Sequence, residues 1–154
     1  MEVTIEIKPE LRVATVQHVG PYSHISDAFA RLGGLAGAGG LFQHPNATMV
    51  ALFHDDPETT PASELRSDAG ILIPEAVPLP NGLTEKRIAA GRYARTTHTG
   101  PYTQLGDAWA RFMGQWLPQS GNRVGQGSSY ELYRNNPSNT APEALVTELY
   151  LPLE

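Results

Sequence analysis

Residues 12–37 read RVATVQHVGPYSHISDAFARLGGLAG, and residues 92–117 read RYARTTHTGPYTQLGDAWARFMGQWL. The two stretches align without a gap at an offset of 80, which carries Gly20 onto Gly100 and Asp27 onto Asp107. Both hold Arg, Ala and His, then Gly-Pro-Tyr, then Asp-Ala-x-Ala-Arg. The match continues beyond them, pairing Phe53 with Tyr133, Pro57 with Pro137, Leu65 with Leu145 and Asp68 with Glu148. An internal repeat of this size decides the fold before any single residue does.

Working outward, residues 2–8 alternate, with Val3, Ile5 and Ile7 on one side and Glu2, Thr4, Glu6 and Lys8 on the other. That pattern predicts a half-buried strand. Residues 12–19 read as a second strand, or a continuation of the first, ending at Gly20-Pro21. A helix follows, with Ser23 (Thr103 in the second half) as the expected cap and Ile25, Ala28, Phe29 and Leu32 as one apolar stripe. The glycine-rich run GGLAGAGG is expected to stop it. Residues 48–54 and 68–74 read as strands, and Val77 to Leu83 as a linker. The second half repeats the plan. Strand character covers 84–99, Leu105, Ala108, Trp109, Phe112 and Trp116 form the stripe, and strands are expected at 129–134 and 146–152. The reading is one α+β domain over 1–154, made of duplicated β-α-β-β units at about 1–76 and 81–154. Such units pack about a pseudo-twofold axis, predicting a curved antiparallel sheet with outer helices and a central cleft.

Bulk properties narrow the function. A net charge of −5 argues against general nucleic-acid affinity and suits a cationic partner. The chain has no cysteine, which excludes disulfides, thiolate catalysis and zinc–sulfur sites. No apolar run approaches the length of a membrane span, and MEVTIEIK has no signal-peptide core. A cytoplasmic location is expected, without membrane or direct DNA binding.

The differences between the halves point to a site. Ala51 corresponds to Glu131, Gly70 to Tyr150, Phe29 to Trp109 and Ala36 to Trp116. Period-2 geometry places Glu131 with Tyr133, and Glu148 with Tyr150. If Leu132, Leu149 and Leu151 pack under the helix, both Glu–Tyr pairs face the cleft. Carboxylates among aromatic rings suit an amphipathic cation. The candidate ligand-binding residues are therefore Glu131, Glu148, Tyr133, Tyr150 and Trp109, with Phe53 as the counterpart of Tyr133. The competing reading makes one glutamate a strand residue paired with Arg134 or Arg92.

The block VGPY with its helix at 19–32, DDPETTPASELRSD at 55–68, TGPYTQLGDAWARF at 99–112, YELYRNNP at 130–137 and TELYLPL at 147–153 together resemble the GyrI-like (SbmC-like) small-molecule-binding family. That family includes a bacterial DNA gyrase inhibitory protein and the effector-binding domains of drug-responsive transcription regulators. The resemblance implies a cleft for hydrophobic cations, with a buried glutamate of the second repeat as counter-charge. Glu131 and Glu148 match the two glutamate positions, and Tyr133, Tyr150 and Trp109 the aromatic ones. Regulators of this kind carry an N-terminal DNA-binding domain. This chain starts on its first strand, so a stand-alone binding module is expected.

Other signals are weaker. The five histidines show no metal-ligand spacing, and His18 and His98, repeated before Gly-Pro-Tyr, read as structural residues bonding a backbone group. Gly-Pro-Tyr itself reads as a strand-to-helix turn. No P-loop or nucleophile elbow is present, and neither cofactor nor metal is expected. Two alternatives stay open. A hydrolase of electrophilic small molecules could use Glu131, Glu148 and Tyr133 as acid–base groups. Inhibition of DNA gyrase by protein contact follows from the resemblance alone.

Overall fold

The computed structural model describes residues 1–44 and 47–154. The fold is mixed α+β, and the strand pairings within each of its two units are antiparallel. The chain forms two compact units, one from Glu10–Ala89 and one from Met1–Pro9 with Ala90–Glu154.

The Glu10–Ala89 unit holds β2 (Leu11–Val19), α1 (Ser26–Ala38), β3 (Met49–Phe53), β4 (Arg66–Leu72) and β5 (Thr84–Ile88), with strands in the order β3-β4-β2-β5. Helix α1 lies on β2 and β4. Its buried Ala28, Leu32 and Ala36 meet Ala14, Val16, Ala69 and Ile71 of those strands. The other unit holds β1 (Val3–Lys8), β6 (Gly91–Thr99), α2 (Leu105–Arg111), α3 (Leu117–Ser120), β7 (Ser129–Tyr133) and β8 (Val146–Pro152), in the order β1-β6-β8-β7. Leu105, Ala108 and Phe112 pack there on Ala94, Leu149 and Leu151. A π-helical stretch, Phe112–Trp116, joins α2 to α3.

The offset of 80 also relates the strand registers. Val13 pairs with Leu72, and Tyr93 pairs with Pro152. The first strand of each sequence half, however, does not stay with that half. Strand β1 pairs with β6, Val3 opposite Thr96, while β5 pairs with β2, Leu11 opposite Ile88. Two-residue connections fold back into hairpins when glycine or asparagine supplies positive φ. Pro9-Glu10 and Ala89-Ala90 offer neither, so β1 and β2 do not form a hairpin, and nor do β5 and β6.

Two helix boundaries also differ from expectation. Ser23 caps nothing, because Tyr22–His24 form a 3-10 turn and α1 begins at Ser26 without a side-chain cap. His24 N–H donates to the Pro21 carbonyl at 3.0 Å, so the backbone starts the coil. Thr103 lies in the equivalent turn, Tyr102–Gln104. Gly33 and Gly34 sit inside α1, which ends only at Gly39 and at Gly40 with φ 75°. The Gly-Pro-Tyr reading holds: Gly20 and Gly100 adopt φ 131° and 144°, open to glycine alone. Their N–H groups donate to Leu65 and Leu145 carbonyls at 2.8 Å. His18 Nε2 lies 3.0 Å from the Pro21 carbonyl, as expected of a structural histidine. His98 Nε2 is buried and makes no such bond.

Gly70 marks how tightly the sheet under α1 is packed. A Cβ there would lie 2.5 Å from Val13 Cγ1 and 3.1 Å from Val50 Cγ1. Gly70→Ala is expected to cost about 1–3 kcal/mol through overpacking, read from the urea midpoint.

Candidate functional site

The pairing of β7 with β8 assigns the two glutamates. Glu131 lies opposite Leu149, and Leu132 lies opposite Glu148. Opposed residues in an antiparallel pair share a face. Leu149 belongs to the core under α2, so Glu131 and Tyr133 face the helix. Glu148, Tyr150 and Leu132 face the other way. The expectation that both Glu–Tyr pairs share one side therefore fails. It placed Leu132 with Leu149 and Leu151, and the register separates them.

On the helix side, Glu131 is 4% exposed. Trp109 Nε1 donates to its Oε2 at 2.6 Å, and Tyr133 Oη donates to its Oε1 at 2.6 Å. Among the described residues no Lys, Arg or His pairs with this carboxylate. Burial pushes its pKa up, and the Tyr133 and Trp109 hydrogen bonds offset only part of that. The pKa of Tyr133 is raised as well, first by burial and then by the neighbouring Glu131 charge. Tyr102 completes the cluster, its ring 5.4 Å from that of Tyr133. The sequence reading assigned Tyr102 only to the turn. The signal for it lay in the repeat, since Tyr22 packs on Phe53 in the same way at 4.9 Å.

On the opposite face, Glu148 is neutralised. Arg134 Nη2 and Tyr150 Oη donate to its Oε1 at 2.6 and 2.9 Å, and Arg95 Nη1 donates to its Oε2 at 3.2 Å. Burial works to raise its pKa, but the Arg134 and Tyr150 hydrogen bonds and the two arginine charges outweigh that and lower it. Arg134 is thus the partner the alternative reading named; Arg92 instead donates to the Glu154 carbonyl. Tyr150 stacks on Tyr130 at 4.5 Å, with Tyr93 edge-on to both. Burial and the Glu148 carboxylate push the Tyr150 hydroxyl up to about 12. Phe53 lies in the Glu10–Ala89 unit, against Tyr22.

A separate cleft of about 340 Å³ opens beside β6 and α2, lined by Thr96, His98, Ala108 and Arg111 among others. None of the six candidate ligand-binding residues lines it. No cluster of potential metal ligands occurs among the described residues. No described helix is long and apolar enough to cross a membrane. Chemically, the helix-side cluster is a carboxylate in an apolar, aromatic setting that lacks a counter-ion.

Known proteins carry the same architecture. Residues 1–154 match the model of the GyrI-like small molecule binding domain. A DNA gyrase inhibitor of Yersinia enterocolitica is 33% identical over 137 residues, covering 86% of this chain and 85% of that protein. Among solved structures, the EcmrR C-terminal domain superposes with TM-score 0.76 at 19% identity, covering 99% of this chain and 97% of that one. SAV2435 bound to tetraphenylphosphonium does so with TM-score 0.73 at 15% identity, covering 100% and 94%. The chain belongs to the GyrI-like small-molecule-binding family.

Proposed function

We propose that this protein binds small amphipathic or hydrophobic cations, with Glu131 as counter-charge and Trp109, Tyr133 and Tyr102 as aromatic walls. The observation that carries this reading is the burial of Glu131 without a cationic partner. An unpaired carboxylate in an apolar setting costs several kcal/mol when ionised. A bound cation offsets that cost, and the ring faces add attraction of their own. Glu148 is the weaker counter-ion because Arg134 and Arg95 already hold it. We assign it, with Tyr150, to holding β8 against its neighbours. A delocalised cation without hydrogen-bond donors suits the site best, because Trp109 and Tyr133 already supply donors to both carboxylate oxygens.

Two further readings each rest on one observation. Inhibition of DNA gyrase by protein contact draws on the likeness to the Yersinia enterocolitica inhibitor. Hydrolysis of electrophilic small molecules draws on Glu131 itself, whose raised pKa suits a general base beside the Tyr133 hydroxyl. Supercoiling by gyrase should fall as this protein is added if the first holds, and unchanged supercoiling at excess protein would rule it out. Incubation with epoxides should give products that Glu131→Gln abolishes if the second holds. Binding without turnover speaks against it for the compounds tried.

For the principal reading, calorimetry with tetraphenylphosphonium is expected to show binding that Glu131→Gln weakens about tenfold or more. Glu148→Gln should leave binding within a few-fold. A cation binds the ionised carboxylate, so affinity should rise with pH as Glu131 loses its proton, and the Gln variant should lack that slope. Retained affinity in Glu131→Gln would end the proposal.

Stability provides an independent check. Because the folded pKa of Glu131 is raised, its contribution is fully present below its unfolded value of about 4.5 and is lost as pH rises through the folded value. The stability of Glu131→Gln relative to wild type should therefore improve as pH rises above about 4.5, measured by urea unfolding.

A further inference from the structure

Strand β1 inverts the usual logic of a half-buried strand. Its polar side is occupied: Glu6 Oε2 lies 2.7 Å from Arg95 Nε, and the Lys8 ammonium sits 5.4 Å over the Tyr150 ring. Its apolar side is bare beyond Val3, which packs on the core. Ile5 is 45% exposed and Ile7 is 78% exposed. Strand β1 also ends its row of strands, with β6 as its one neighbour in the unit, so one backbone edge carries no partner strand. An uncovered apolar edge strand is the surface on which a further strand adds.

We propose that this edge pairs with β1 of a second copy of this chain, antiparallel, about a twofold axis through Ile5. The sequence Glu2-Val3-Thr4-Ile5-Glu6-Ile7-Lys8 is self-complementary in that register and in no neighbouring one. Centred on Ile5, Glu2 faces Lys8, Val3 faces Ile7, Thr4 faces Glu6, and Ile5 meets its own copy. Opposite charges meet at both ends, and the apolar row becomes continuous across the junction. Centring on Glu6 opposes two glutamates, and centring on Thr4 opposes Glu2 with Glu6. Centring on Ile7 brings in Pro9, which has no N–H to donate. Registers with the axis between residues set apolar side chains against polar ones on one face, as with Val3 and Glu6.

The edge strand of the other unit serves as a contrast. Strand β5 buries its one apolar side chain at the open end, Ile88, to 5% exposure. Its charges are engaged locally, Lys86 with Asp68 and Arg87 with Glu75. Paired with itself about Lys86 it would oppose two lysines. Charge protects β5 from association, and β1 lacks that protection on its Ile5–Ile7 side.

The contact is isologous, and one short strand makes it a weak dimer of the kind that concentration controls. Sedimentation equilibrium over a concentration series is expected to show mass rising from 16.7 kDa toward twice that value. Ile5→Lys should remain monomeric throughout with an unchanged circular dichroism spectrum, since Ile5 is exposed and two lysines would meet on the axis. The chain has no cysteine, so single cysteines report the register without background. Ile5→Cys should crosslink to itself under mild oxidation, and Ile7→Cys, which faces Val3 of the second copy, should crosslink to itself at least several-fold less. A wild type that stays monomeric at every concentration overturns the proposal. So does a dimer that survives Ile5→Lys, or equal self-crosslinking at the two positions.

Discussion

One strand register governs the chemistry of the second half of this chain. By placing Glu131 opposite Leu149, the β7–β8 pairing turns one glutamate under the helix and the other away from it. A slip of one residue would set Glu131 opposite Glu148 or Tyr150 and put both carboxylates on one face, because side chains alternate with a period of two. The core residues Leu149 and Leu151, both fully buried, hold the register in place. The placement of both glutamates therefore rests on core packing.

The two glutamates illustrate how environment separates identical side chains. Both are buried, and both accept a tyrosine hydroxyl from two positions further along their own strand. Glu148 has two guanidinium groups as well, and its pKa falls. Glu131 has an indole N–H instead, which carries no charge, and its pKa rises. Hydrogen bonds from neutral donors satisfy lone pairs but do not balance charge. Glu148 is thus balanced by charge, whereas Glu131 is satisfied by neutral donors alone.

Much of the fold was legible because it rests on local signals. The repeat at an offset of 80, the period-2 runs and the helical stripes placed the strands within a few residues, except that the single stretch read at 84–99 is two strands, β5 and β6. What escaped the sequence reading was mostly relational. Strand β1 goes to β6 because Pro9-Glu10 cannot make a tight hairpin, and the Val3-Ile5-Ile7 alternation says nothing about which strand will be its neighbour. The face of Glu148 depends on pairing with β7, and Leu132 looked equivalent to Leu149 until that register was known. Ser23 has the chemistry of a cap, but the Gly-Pro-Tyr turn had already supplied backbone donors and acceptors. Glu131, Trp109 and Tyr133 were found by comparing halves, and Arg95 was not, because it lies on a different strand from the glutamate it binds.

That comparison also explains why the helix-side cluster is found in one half alone. Where the second half has Glu131, Trp109 and Tyr133, the first has Ala51, Phe29 and Phe53. All three polar groups are replaced together. A buried acceptor without its donors, or buried donors without their acceptor, forfeits the desolvation free energy of each group left unpaired. Exchanging the whole set for apolar side chains avoids that cost, and Ala51 is fully buried in its place. The opposite face changed with similar coherence: Tyr93, Tyr130 and Tyr150 stand where Val13, Val50 and Gly70 stand in the first half. Gly70 is required by the close approach of Val13 and Val50, whereas Tyr150 fills its own position and stacks on Tyr130. Each cluster is thus a unit of packing or polarity whose members depend on one another. A single substitution toward the other half's residue leaves its neighbours mismatched, so neither cluster can be transplanted to the other half one residue at a time.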